Sequence, residues 1–146
     1  MFTENGPWYP NANGTLTPNP YSWNTVANVV YLESPAGVGF SYSDTPSDYT
    51  TVGDARTAND SLAFLLGFME LHPEYAKNEF WISGESYGGH YVTTLAKTVF
   101  LYNQQVRAPC LHACLVASFT AVCFVCVGCE DWWDAVELPR LLGWQR

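Results

Sequence analysis

Ser86 stands in Gly84-Glu85-Ser86-Tyr87-Gly88, preceded by the apolar run Phe80-Trp81-Ile82-Ser83 and followed at once by a helical pattern. Gly-x-Ser-x-Gly between a strand and a helix is the sequence form of a nucleophile elbow, a sharp turn that lifts a serine hydroxyl into a cleft. Such a turn holds the serine in a strained backbone conformation. It also brings the flanking backbones close together, so that side chains at 84 and 88 would clash. The helix that begins there points its N-terminal amides at the site, where they can stabilise a developing oxyanion. The chemistry this predicts is nucleophilic attack on a carbonyl carbon. Glycine and serine are also common loop residues, so the bare pattern is weak. The strand before it and the helix after it give it specificity.

A serine nucleophile needs a general base within hydrogen-bond reach. The histidines are His72, His90 and His112. His72 precedes a proline at a helix end and reads as a surface residue. His90 follows Ser86 by one turn on the same helix, where packing or a backbone bond suits it better than the role of base. His112 lies in the C-terminal stretch, and none of the three is a good candidate. Asp54 reads as a helix-start residue, favoured there by the helix dipole, and not as the acid of a triad. Ser34 and Ser41 read as loop residues bonded to nearby backbone. Cys110, Cys114, Cys123, Cys126 and Cys129, with His112 nearby, have the look of a metal cluster. Structural zinc knuckles are polar and turn-rich, however, whereas Phe, Val and Gly separate these cysteines, and no metal is expected.

The elements that must position Ser86 follow from periodicity. Residues 1–27 are rich in Pro, Gly, Asn and aromatics and read as an irregular segment with one edge strand at most. Asn28-Val29-Val30-Tyr31-Leu32-Glu33 is short, β-branched and bounded by breakers, which predicts a buried strand. The glycine-punctuated loop Gly37 to Ser43 would lie at its C-terminal end, the edge at which open α/β sheets bind ligands. Thr51-Val52-Gly53-Asp54 resembles a capping box. Beyond it Ala55, Ala58, Leu62, Leu65, Leu66 and Met69 recur at helical spacing until His72-Pro73, predicting a helix of roughly five turns. Phe80 to Ser83 is the second strand, and Val92, Leu95, Ala96 and Val99 form the apolar stripe of the helix after the elbow. Strand, helix, strand, elbow, helix is a βαβ unit and predicts a parallel sheet with a right-handed crossover.

A chain of 146 residues, 48% apolar and 16% aromatic, is long enough for one domain with a core and is not disordered. Its net charge of -8, with only six Lys and Arg, excludes a nucleic-acid partner and suits an acidic compartment or the cell exterior. No signal peptide is readable at Met1 to Pro7. Asn13-Gly14-Thr15 and Asn59-Asp60-Ser61 have the form of N-glycosylation acceptors, which would fit a secreted or vacuolar protein. After about Gln105 the character changes to a Cys/Val/Ala-rich apolar stretch followed by the acidic, aromatic Glu130-Asp131-Trp132-Trp133-Asp134. A transmembrane helix over Leu111 to Val127 falls short of the roughly 20 residues needed and carries His112, so a membrane partner is not expected.

From Phe2 to about Tyr102 the chain resembles the serine carboxypeptidase family of α/β-hydrolases, which remove C-terminal residues from peptides. The blocks that carry the resemblance are Glu4-Asn5-Gly6-Pro7, Asn19 to Asn24, Ala27-Asn28-Val29, Glu33 to Ser43, His72-Pro73-Glu74-Tyr75 and Gly84 to Tyr91, in the family's order. The resemblance implies that Ser86 is the nucleophile and that the Tyr87 backbone N–H is an oxyanion donor. It implies that Glu85 and Glu4 recognise the substrate's C-terminal carboxylate. Two carboxylates beside an anionic substrate repel it unless one is protonated, so the pair is expected to titrate as a unit and substrate binding to weaken as pH rises from acid towards neutral. The family's upstream oxyanion block, its catalytic Asp and its catalytic His are not found in this sequence, and Thr93 stands where the family usually has Pro.

The expectation is therefore a partial α/β-hydrolase fold. Residues 1–105 would be part of a serine carboxypeptidase catalytic domain and 106–146 a tail that does not continue the family pattern. The function implied is serine-type carboxypeptidase chemistry on peptide or protein C-termini, without cofactor or metal. The chain by itself is expected to be a truncated, inactive fragment. The rival readings are a carboxypeptidase-like acyltransferase, since related plant enzymes share the scaffold, and a non-catalytic truncated product. The resemblance places the full-length relative outside the cell or in the vacuole or lysosome.

Overall fold

The computed structural model describes residues 4–106, 113–118 and 122–127, the last two segments as backbone only. The described residues form two units, one ending at Glu33 and one beginning at Ser34.

The first unit begins with a hairpin. Strands β1 (Trp8–Pro10) and β2 (Leu16–Pro18) pair antiparallel, Trp8 facing Pro18 and Pro10 facing Leu16. Both prolines sit at the ends of a two-stranded ladder, where a missing N–H costs no bond. Two strands thus stand where one edge strand was expected. The chain around the hairpin is held by Asn19, which is buried. Its Nδ2 donates to the carbonyls of Glu4 and Gly6 at 3.0 and 2.9 Å, and its Oδ1 accepts from Tyr21 N–H at 2.9 Å.

The run 28–33 is not a strand, which corrects the expectation. It keeps a strand's alternation in part, with Val29 and Tyr31 half-buried and Val30 and Leu32 exposed. β-structure, however, needs a neighbour to pair each N–H and C=O, and no described strand ladders with these residues. The Gly37 to Ser43 loop consequently caps no strand. It folds on itself, with Gly37 N–H bonded to Ser41 O at 2.9 Å.

In the second unit α1 (Asp54–Leu71) runs for five turns and stops ahead of Pro73. Ala58, Leu62 and Leu65 are buried, and Leu66 and Met69 pack against the same cluster. Ala55, also on the expected stripe, is exposed. The expected capping box does not form. The N-cap is Gly53 and no side chain caps the helix, because Thr51 Oγ1 donates instead to Ser47 O at 2.9 Å. β3 (Phe80–Glu85) leads into α2 (Gly88–Val106), whose Val92, Ala96 and Val99 complete the core. β3 pairs in parallel with β4 (Ala113–Ser118), and β4 pairs antiparallel with β5 (Val122–Val127). The βαβ unit is therefore β3–α2–β4, one step later in the chain than expected. Within the apolar stretch from Leu111 to Val127 the described residues are those of β4 and β5.

Candidate active site

Ser86 lies between β3 and α2, and it is the one described non-glycine residue with a left-handed backbone, at φ 56°. An L-residue adopts that conformation only where its surroundings hold it. Here the surroundings are a strand paired to β4 and a helix anchored in the core by Val92, Ala96 and Val99. Gly84 shows how tight the turn is. A Cβ there would come 2.9 Å from Val92 Cγ2 and 3.0 Å from Gly88 Cα. A Cβ on Gly88 would meet nothing within 4 Å, so of the two expected clashes only that at 84 is real. Gly88 matters as the backbone that position 84 must clear.

The turn leaves Ser86 and Tyr87 exposed, and α2 starts two residues beyond the serine. Backbone bonds from Gly89 N to Ser86 O (3.0 Å) and from His90 N to Tyr87 O (2.9 Å) close the first helical turn. The Tyr87 N–H makes no backbone bond among the described residues, which leaves it available at the helix N-terminus. Such an unspent amide beside a serine hydroxyl is what a tetrahedral oxyanion requires.

Around the turn the structure gathers groups that are remote in sequence. The Tyr87 hydroxyl donates to Asp54 Oδ1 at 3.2 Å, joining the elbow to the first residue of α1. That bond, and the carboxylate's charge beside the ring, push the phenol above its ordinary range, because a phenolate would face a second anion. The His90 ring lies on Tyr87 with centroids 4.8 Å apart, and its Nδ1 is 4.0 Å from Asp54 Oδ2. Tyr91 meets Tyr87 edge-on at 5.0 Å. Asp54 is thus a helix-start residue, as its position predicts, and also the anchor of Tyr87. Nothing in the sequence signals that second role, because the partners are 33 positions apart.

The remaining expected groups fall elsewhere. Glu85 ends β3 and is exposed; Glu4 is exposed in the first unit. His72 is exposed, its ring tilted against Phe68 with centroids 4.7 Å apart and its Nδ1 3.3 Å from Glu74. Cys110, His112 and Cys129 lie outside the described residues, while the β4–β5 register sets Cys114 opposite Cys126. No group of metal-ligating side chains occurs among the described residues, and no described helix is long and apolar enough to cross a membrane.

The family model for serine carboxypeptidases matches residues 1–116. Serine carboxypeptidase-like 26 of Arabidopsis thaliana is 56% identical over 98 residues, covering 66% of this chain and 22% of that protein. Serine carboxypeptidase-like 28 of the same plant is 49% identical over 110 residues, 75% of this chain and 24% of the relative. Serine carboxypeptidase-like 29 is 51% identical over 102 residues, 69% and 21% respectively. The chain therefore spans under a quarter of the length of each of these curated relatives. The match runs through the elbow and α2 into β4, and the family implies an α/β-hydrolase fold, of which the described residues form a small mixed sheet and two helices. The left-handed serine, the glycine packed beneath it and the helix that opens behind it are thus inherited together: this chain belongs to the serine carboxypeptidase family.

Proposed function

We propose that the chain carries the nucleophile segment of a serine-type carboxypeptidase that cleaves C-terminal peptide bonds through an acyl-enzyme. The observation that supports this reading is Ser86 at φ 56° between β3 and α2. Ser86 Oγ attacks the scissile carbonyl and yields its proton to a histidine base supplied by family sequence beyond this chain. The Tyr87 N–H binds the oxyanion. The C–N bond then breaks, the departing amine takes the proton, and water hydrolyses the ester. Glu85, at the end of β3 one residue before the serine, receives the substrate carboxylate. Such an enzyme belongs in a secreted or vacuolar compartment. The chain alone, without base or orienting acid, does not turn over.

The test is a chimera in which residues 1–105 replace the matching segment of serine carboxypeptidase-like 26, assayed with a blocked dipeptide and with a sugar ester. Release of the C-terminal residue is expected, with Ser86→Ala lowering kcat by on the order of 10⁶-fold. Transfer from the sugar ester without peptide hydrolysis would replace this reading with acyl transfer. Fluorophosphonate labelling of Ser86 in the unmodified chain would overturn its inactivity.

A further inference from the structure

Two Asn-x-Ser/Thr sequences occur in the chain, and the fold treats them in opposite ways. Asn13-Gly14-Thr15 forms the turn between β1 and β2, and all three residues are exposed. Gly14, at φ 80°, takes a conformation that disfavours a side chain, and the space above it is open, since a Cβ would meet nothing within 4 Å. The Thr15 hydroxyl and Thr15 N–H both donate to Asn13 Oδ1, at 2.7 and 3.1 Å. Asn11 steadies the turn from behind, its Nδ2 donating to Thr15 Oγ1 and to Thr17 Oγ1, each at 2.9 Å. Asn13 Nδ2 donates to nothing among the described residues.

An amide nitrogen is a poor nucleophile because its lone pair is delocalised into the carbonyl. Two donors on Oδ1 draw charge towards the oxygen, which makes an Nδ2 proton easier to remove. They also fix the side chain with its oxygen held towards Thr15. Asn59-Asp60-Ser61 offers none of this. It lies within α1, Ser61 is only 6% exposed, and Asp60 is paired with Arg56 at 3.3 Å. An enzyme that must reach both the asparagine amide and the hydroxyl two residues on finds both at the hairpin tip and only one on the helix.

We infer that Asn13, and not Asn59, is an N-glycosylation site of the folded chain, with a lipid-diphosphate-linked oligosaccharide as donor. In that reaction Asn13 Nδ2 attacks C1 of the first sugar. The C1–O bond to the diphosphate breaks, the lipid diphosphate leaves with the bonding electrons, and the amide proton passes to a base of the transferase. The site stands apart from the elbow chemistry and does not depend on the carboxypeptidase reading.

The experiment incubates the purified, folded 146-residue chain with solubilised oligosaccharyltransferase and the lipid-linked oligosaccharide, with an acceptor peptide as positive control. The expected product carries a single glycan, removed by peptide N-glycosidase and located at Asn13 by mass spectrometry. Asn13→Gln and Thr15→Ala should abolish it, Thr15→Ser should restore it in part, and Asn59→Gln should leave it unchanged. All four variants are judged only where their circular dichroism matches that of the parent. A glycan on Asn59, on both asparagines, or on neither while the control peptide is modified overturns the inference.

Discussion

The two units of the chain reach order by opposite means. Among the described residues of the first, those buried are Gly6, Asn19 and Ser22, and no large apolar side chain is buried. Order there comes from capture of backbone polar groups: Asn19 holds Glu4, Gly6 and Tyr21, while Ser22 Oγ reaches Asn5 O at 3.4 Å and Asn24 N at 3.1 Å. In the second unit the core is aliphatic, with Val99 fully buried and Val92, Ala96, Leu62 and Leu65 around it. The difference shows what each design suits. A segment of prolines and asparagines has few helical or strand bonds, so its carbonyls are met one at a time, by side chains and by isolated backbone bonds such as Asn19 N–H to Pro7 O at 2.9 Å. A helix pair over a strand satisfies its own backbone and leaves its stability to apolar burial. That burial is what can hold a strained serine in place.

This contrast can be broken most directly at the core. Leu65→Ala should destabilise the second unit by about 3 kcal/mol, since removing a buried leucine costs transfer energy and leaves a cavity. A shift of the urea midpoint corresponding to less than about 1 kcal/mol would show that the aliphatic cluster does not carry this unit. Gly84→Ala comes next, at about 2 kcal/mol, because the new methyl meets Val92 and the Gly88 backbone at the 2.9–3.0 Å contacts and α2 must move away from β3. In the chimera described above the same change should also lower kcat; an unchanged kcat would mean that the serine's position does not depend on that packing.

For the first unit the expected effect is smaller and differently placed. Asn19→Ala leaves the buried Gly6 carbonyl and the Tyr21 N–H without the partner they have and should cost about 1–2 kcal/mol, read as faster amide exchange across residues 4–24 with little change in α1 or α2. Asn19→Leu separates the two designs, since a stabilised protein would mean that apolar volume, and not backbone capture, is what this unit needs.

The smallest effect is electrostatic. Asp48 is held below the ordinary aspartate range, first by the Ser43 hydroxyl at 2.6 Å and then by Arg56 at 2.9 Å. A carboxyl whose pKa is lower folded than unfolded contributes stability above its unfolded pKa and loses it as pH falls through the folded one. Amide exchange over residues 43–56 should therefore quicken below the ordinary aspartate range, and Ser43→Ala should flatten that response. An exchange profile that is already flat in the parent would remove the Asp48 contacts from the account.

Much of the site was legible in the residues because its requirements are local. A Gly-x-Ser-x-Gly between an apolar run and an apolar stripe predicts β3 to within two residues of its end, the turn after it and a helix beyond the turn, since the strand-to-helix switch depends on residues close together in the chain. The stripe from Ala58 to Met69 predicts α1 for the same reason. The hairpin was only half visible, as two three-residue strands carry almost no periodic signal.

What the amino-acid sequence determined by itself, then, is the Gly-x-Ser-x-Gly turn and the helices that frame it, consequences of steric limits at single residues and of periodic apolar burial; the family follows from the blocks of residues that resemble it. The tertiary structure decided the rest. It decided that 28–33 joins no described strand, that β3 finds its parallel neighbour in β4, that Asp54 receives the Tyr87 hydroxyl and that Thr15 points its hydroxyl at Asn13. Strand pairing and side-chain hydrogen bonds depend on which groups meet in space, and spacing along the chain sets that only where the partners are close neighbours.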